Sequence, residues 1–238
     1  PVQFRVTSRW PDGSVRWLLV HFLANLPANR SRDFSLRVEP APRAFAGLKV
    51  EESDGRLRVD TGALRLTLCR SGEPGLFHRL CCGRTEYGGE QFRGPFLTDE
   101  AGERWEAVGN GWEIVECGPV RAVLRESGRH RRADGGGWLD FALRLYFWAG
   151  KPWVRMEYQI VNREPGARRR IQSMGLEFSG KGGPGKVRTA LATSNYRSAI
   201  RTDESGGRLY HGIDAAGLQN EANEHIPEVF YGTFFADW

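Results

Sequence analysis

Two runs near the middle of the chain alternate in side-chain character for longer than any other stretch. Trp138 to Trp148 and Trp153 to Asn162 carry apolar residues at every second position, and Ala149-Gly150-Lys151-Pro152 joins them. A period of two places successive side chains on opposite faces of a strand. A short link containing Gly and Pro then returns the chain alongside itself. The pair is expected to form two long antiparallel strands.

Shorter segments repeat the signal on either side. Leu57–Asp60 and Leu64–Leu68 are joined by Thr61-Gly62-Ala63, and Leu76–Leu80 follows the turn Gly72-Glu73-Pro74-Gly75. Phe96–Asp99, Trp112–Glu116 and Val120–Glu126 come next, the last two separated by Gly118-Pro119. Near the start, Val2–Thr7 and Val15–Phe22 flank Pro11-Asp12-Gly13. Proline presets φ, aspartate caps the turn, and glycine tolerates a positive φ, so this reads as a β-hairpin. Trp10 and Trp17 flank that turn and are expected against one patch of surface. Asp33–Glu39 alternates like a strand until Pro40-Ala41-Pro42 breaks it, which puts a boundary near residues 40–47. One segment, Ala215–Asn223, is a short helical candidate. Many short strands with regular turns make the chain all-β, with a large antiparallel β-sandwich following that boundary.

Composition narrows the function classes. The chain has 238 residues, 40% of them hydrophobic and 26% charged, the balance of a globular protein. Nothing in the sequence approaches the roughly 20 apolar residues of a membrane-spanning helix. The net charge of +5 is carried by scattered arginines, densest at Arg168-Arg169-Arg170. Such a balance could serve nucleic acid or an acidic polysaccharide, but +5 is modest for this length and an arginine excess can reflect genome base composition. Neither nucleic acid nor membrane is expected as a partner. Cys69, Cys81, Cys82 and Cys117 show no zinc-type spacing and read as free, mostly buried thiols, with a Cys69–Cys81 disulfide left open. The chain opens on Pro1 and closes on the aromatic run Tyr231–Trp238, so a piece of a longer polypeptide is expected.

Arg9-Trp10-Pro11-Asp12-Gly13-Ser14-Val15-Arg16-Trp17-Leu18-Leu19 resembles the opening barrel domain of the exo-rhamnogalacturonan lyase-like (PcRGLX/YetA-like) family. Gly118–Leu124, Leu143–Trp148, Ala149-Gly150-Lys151-Pro152 and Val154–Glu157 resemble that family's central sandwich. The resemblance implies a partial RIFT-type barrel over residues 1–45, then a mutarotase-like supersandwich over 46–238. A C-terminal α/α toroid would follow beyond the last residue. It also implies β-elimination on rhamnogalacturonan or a related uronic-acid polymer, by a protein that is secreted or periplasmic.

Such a reaction needs a donor that neutralises the uronate carboxylate, a base for the C5 proton and an acid for the leaving oxygen. Tyr196, Tyr210 and His211 are the proton-transfer candidates. Asn195, Arg197, Asn220, Asn223 and His225 are the substrate-binding candidates. Solvated loop or hydrogen-bonded structural residues would look the same in sequence. His78 and His130 read as strand-edge or loop residues, and His21 as structural. No cofactor is required by the sequence, though a divalent cation such as calcium fits the chemistry. Two alternatives stand beside the lyase. One is a non-catalytic carbohydrate-binding or scaffold domain. The other is a glycoside hydrolase or epimerase, for which Glu157 and Glu177 on predicted strands are the acidic candidates.

Overall fold

A computed structural model describes residues 2–35, 47–73, 75–163 and 169–178. Beyond these it describes six strands within residues 188–237 by their backbone pairing. The hairpin expected at the start is present as β1 (Val2–Arg9) and β2 (Val15–Phe22). Its turn closes with Gly13 N–H donating to the Trp10 carbonyl at 2.9 Å, while the Trp10 N–H donates to the Ser14 carbonyl at 2.9 Å. Asp12 Oδ1 accepts from the Ser14 N–H at 2.9 Å, and Gly13 sits at φ +86°, a left-handed value that glycine adopts without a Cβ penalty. Trp10 lies under the Arg16 guanidinium, 4.5 Å from ring centre to Cζ.

Five strands then form one antiparallel sheet in chain order: β3 (Lys49–Ser53), β4 (Arg56–Asp60), β5 (Leu64–Leu68), β6 (Phe77–Cys82) and β7 (Thr85–Gly88). The second sheet holds β8 (Phe92–Asp99), β9 (Arg104–Cys117), β10 (Arg121–Arg131), β11 (Gly137–Trp148), β12 (Arg155–Val161) and β13 (Ile171–Phe178). Its order is β12-β11-β10-β9-β8-β13, with every pair antiparallel.

Alternation decides how the two sheets meet. Phe141, Leu143, Leu145 and Phe147 of β11 are all buried, with Ala122 and Leu124 of β10 beside them. They pack against Leu57, Val59, Leu64, Leu66 and Leu68 of the five-stranded sheet in one cluster. Each such buried side chain contributes about 2 kcal/mol, which makes the inter-sheet layer the main source of stability. Leu97, Trp105, Trp138 and Leu139 form a second cluster toward the other end of the strands. The turns are tied together as well: Thr61 Oγ1 donates to the Lys151 carbonyl at 2.8 Å, and Gly150 N–H donates to the Thr61 carbonyl at 2.6 Å.

The hairpin hydrogen-bonds to the sandwich through Gln3. Gln3 is buried, its Nε2 donates to Glu116 Oε1 at 2.5 Å, and its Oε1 accepts from the N–H groups of Val120 and Arg121 at 3.1 and 2.8 Å.

Contacts divide the chain into two units, Pro1–Gly180 and Lys181–Trp238. In the second, β14 (Arg188–Thr193) pairs with β15 (Arg201–Asp203) and β19 (Gly232–Asp237). A separate sheet joins β16 (Gly207–His211), β17 (Ala216–Asn220) and β18 (His225–Ile226).

The all-β fold class holds, and several local expectations change. The helical candidate at 215–223 contains strand β17 instead; it lacks caps and is interrupted by Gly217, and cross-strand pairing decides its state. Asp33–Ser35 lie outside any strand, and residues 36–46, which include the proline break, lie outside the described residues. All four cysteines are free, which removes the Cys69–Cys81 disulfide, and only Cys69 among them is buried. His130 is neither at an edge nor in a loop: it is fully buried on β10, a central strand.

Candidate functional site

The face of β11 turned away from the core carries Arg144, Tyr146 and Trp148, because the residues between them fill the inter-sheet layer. Tyr146 and Trp148 stack with ring centres 6.2 Å apart and planes inclined by 21°. The turn after β11, with Gly150 at φ +70°, brings Trp153 back to 4.5 Å from Trp148, and Trp153 is 48% exposed. Three aromatic rings therefore form a continuous wall at one end of the outer face.

Guanidinium groups frame the wall. Arg155 of β12 stands opposite Tyr146 in the register, its Cζ 5.4 Å from the ring centre, and Arg121 of β10 approaches the same ring at 5.9 Å. The Tyr146 hydroxyl donates to Glu157 Oε2 at 2.6 Å, while Arg155 Nη2 donates to Glu157 Oε1 at 2.6 Å. Burial, and then the hydrogen bond to Glu157, push the Tyr146 pKa up. The phenol is thus a hydrogen-bond donor at neutral pH.

Glu116 closes the site on the hairpin side. Arg121 Nη2 donates to it at 2.6 Å, and Arg5 Nη1 and His21 Nε2 of the hairpin stand 3.9 and 3.8 Å away. Burial pulls the Glu116 carboxyl upward, but the hydrogen bond and charge of Arg121, with His21 and Arg5 adding, hold it below its ordinary value. Burial, then the charge of Arg121, lowers the His21 pKa, so its imidazole is neutral at pH 7.

A concavity of about 720 Å³ lies against the five-stranded sheet, lined in part by Cys69, Glu73, Phe77, Arg79 and Glu86. Its charges satisfy one another: Arg56 donates to both Glu73 oxygens at 2.6 and 2.7 Å, and Arg79 to Glu86 at 2.5 Å. Burial pushes the Cys69 thiol up to about 11, which leaves it unreactive as a nucleophile. The aromatic wall is the better site. Among the described residues no cluster of three or more His, Cys, Asp or Glu side chains is placed to hold a metal ion.

The residues singled out in the sequence fall in the second unit. Tyr210 and His211 end β16, opposite Gly217 and Ala216, whereas Asn220 ends β17 opposite Gly207. His225 pairs with Gln219, next to Asn220. Three register steps, about 10 Å, separate the Tyr210–His211 end of this sheet from the Asn220–His225 end. Asn195, Tyr196, Arg197 and Asn223 lie outside the described residues. Sequence reasoning missed Arg121, Arg144, Tyr146, Trp148 and Trp153. The available signal was the spacing Arg144-x-Tyr146-x-Trp148, which places three large side chains on one strand face.

Glu157 and Glu177 are on β12 and β13, the two edge strands of the six-stranded sheet. Five inter-strand steps part them, about 24 Å along the sheet. Paired glycosidase carboxyls stand no more than about 10 Å apart. These two residues do not form such a pair.

Two antiparallel sheets packed on a shared apolar layer, one with a cationic and aromatic outer face, define an all-β sandwich protein. Residues 48–182 match the family described as PcRGLX-like protein central beta sandwich domain, and the chain belongs to that family. It is also 26% identical over 187 residues to the uncharacterized protein YetA of Bacillus subtilis (strain 168). That alignment takes in 74% of this chain and 22% of YetA, so the chain spans about a fifth of that relative's length.

Proposed function

We propose that this chain is the sandwich-bearing part of a polysaccharide lyase-like protein that acts on rhamnogalacturonan or a related uronic-acid polymer by β-elimination. The observation that carries the reading is the wall of Tyr146, Trp148 and Trp153 framed by Arg121 and Arg155. Apolar sugar faces stack on such rings, and Arg121 and Arg155, which give only some of their N–H donors to Glu116 and Glu157, suit an anionic chain. In this reading the wall holds the acidic chain; Tyr196, Tyr210 and His211 of the second unit are proposed separately, on their chemistry alone, for proton transfer. Asn195, Arg197, Asn220, Asn223 and His225 of that unit are likewise proposed, by residue type, for substrate binding. The test is incubation of the full-length protein with rhamnogalacturonan and with polygalacturonate, followed by the absorbance of the unsaturated product. No absorbance from any uronic-acid polymer would remove the lyase reading.

A second reading has its own support. The wall offers stacking and ion pairing without a free base, since Glu157 is engaged by Tyr146 and Arg155. That arrangement suits a region that binds acidic glycan without turnover. Saturable binding by the protein, with no product formed, would select it.

A further inference from the structure

On the outer face, beside the aromatic wall, two arginines oppose one another directly. Arg125 of β10 is the register partner of Arg144 of β11. Directly opposed residues in an antiparallel pair have Cβ atoms about 5 Å apart, and like charges so placed destabilise the sheet. Neighbouring arginines on this face are neutralised: Arg121 by Glu116 at 2.6 Å, Arg104 by Glu106 at 2.6 Å and Arg155 by Glu157 at 2.6 Å. The opposed pair has less: Arg125 has one ion pair without a hydrogen bond, and Arg144 has none among the described residues. Glu113, across from Arg125 on β9, stands 3.8 Å from its Nη1 and is mostly exposed. Glu157, across from Arg144 on β12, has both oxygens engaged by Tyr146 and Arg155. The Arg125 Nε is buried without a hydrogen-bond partner, and among the described residues no hydrogen bond or ion pair reaches the Arg144 guanidinium.

Arg144, whose guanidinium is unpaired among the described residues, and Arg125, held by a 3.8 Å ion pair at Nη1, stand together as a receptor for a planar anion; the buried Arg125 Nε is out of its reach. Two forks can meet the two oxygens of one carboxylate, and the anion also cancels their mutual repulsion. Arg144 is two residues from Tyr146 on the same strand face, about 7 Å along the strand. A sugar ring stacked on the wall would place a ring substituent within reach of the pair. We infer that Arg125 and Arg144 together bind the carboxylate of a hexuronate residue and make the aromatic wall selective for acidic over neutral glycan. This rests on the proposal that the outer face holds a uronic-acid polymer.

The test compares oligogalacturonate with its carboxyl-reduced, neutral counterpart in calorimetric titrations of the protein, the Arg144→Gln and Arg125→Gln variants, and Trp153→Ala. The protein should prefer the acidic ligand by about tenfold or more, and either arginine variant should abolish most of that preference. Trp153→Ala should weaken both ligands alike. Arg144→Gln should also melt at a higher temperature than the parent at low salt, with the difference shrinking at high salt, because one of two repelling charges is gone. Acid-selective binding that survives in both arginine variants would overturn the clamp and leave the glycan-binding reading standing. Failure of the parent protein to bind either ligand would overturn both. A lowered melting temperature in Arg144→Gln would show that the pair is already neutralised within the protein, which also overturns the clamp.

Discussion

His130 Nδ1 lies 2.8 Å from the carbonyl oxygen of Leu139, a residue held at φ +36° where the register of β10 and β11 slips. A carbonyl only accepts, so Nδ1 carries the proton and Nε2 accepts from the Tyr158 hydroxyl. Burial lowers the His130 pKa and keeps the imidazole neutral. The side chain thus holds a leucine in a conformation that its Cβ disfavours, in the centre of the sheet. Removing it with His130→Ala should cost about 3 kcal/mol, from a cavity and a lost buried hydrogen bond. Tyr158→Phe should cost about 2 kcal/mol, since it leaves Nε2 unpaired. Urea unfolding of both variants measures this; a change under half a kcal/mol in His130→Ala would contradict it.

Glu126 gives the fold a pH dependence. It points into the inter-sheet layer, and burial raises its pKa to about 7 against the lowering effect of the Gly111 N–H. The folded state therefore keeps a proton that the unfolded chain releases near its ordinary value of 4.5. Stability from this group is full below pH 4.5 and is lost as pH rises through about 7. The total is about 3 kcal/mol. Glu126→Gln should leave stability at pH 4.5 almost unchanged and raise it at pH 8. Denaturant midpoints at the two pH values are the measurement.

Gly109 is required by the same carboxyl group. A Cβ built there would lie 1.9 Å from Glu126 Oε1. Gly109→Ala should destabilise by about 2 kcal/mol, the cost of overpacking a filled site. The loss should shrink in the Glu126→Ala background, where space is available, and a double-mutant cycle reads that coupling.

Gln3 should decide whether the hairpin stays on the sandwich. Its amide spans Glu116 and two backbone N–H groups, none of which a shorter side chain reaches. Gln3→Ala should raise hydrogen exchange of the β1 and β2 amides by about tenfold or more while the β10–β11 amides keep their protection. Equal loss in both regions would mean that the hairpin and sandwich unfold as one body.

Much of the sandwich was legible because its strands obey a period of two. Leu57–Asp60, Leu64–Leu68 and the long β11–β12 pair fall close to where alternation places them. The hairpin turn followed from Pro11-Asp12-Gly13. Strands β3 and β7 were missed, the first being mostly charged and the second following a glycine in a polar passage, so only pairing with neighbours makes them strands. His130 was misplaced because its burial follows from a bulge between β10 and β11, which leaves no mark in the sequence. The outer-face site had the same difficulty. Arg144, Tyr146 and Trp148 are visible as one face of one strand, but Arg121, Arg125 and Arg155 join them only through cross-strand register. Tyr210, His211 and Asn220 were chosen for chemical type, and that criterion carries no information about pairing.

If acidic glycan lies on the Tyr146–Trp148–Trp153 wall, as proposed, the two tryptophans will report it. The most direct test is to follow the indole N–H resonances of Trp148 and Trp153 during titration with rhamnogalacturonan oligosaccharide, assigned from single-tryptophan substitutions. Both signals should shift saturably and together, while that of Trp105, buried in the second core cluster, stays fixed. Unmoved Trp148 and Trp153 signals at concentrations where the glycan is bound would contradict the account.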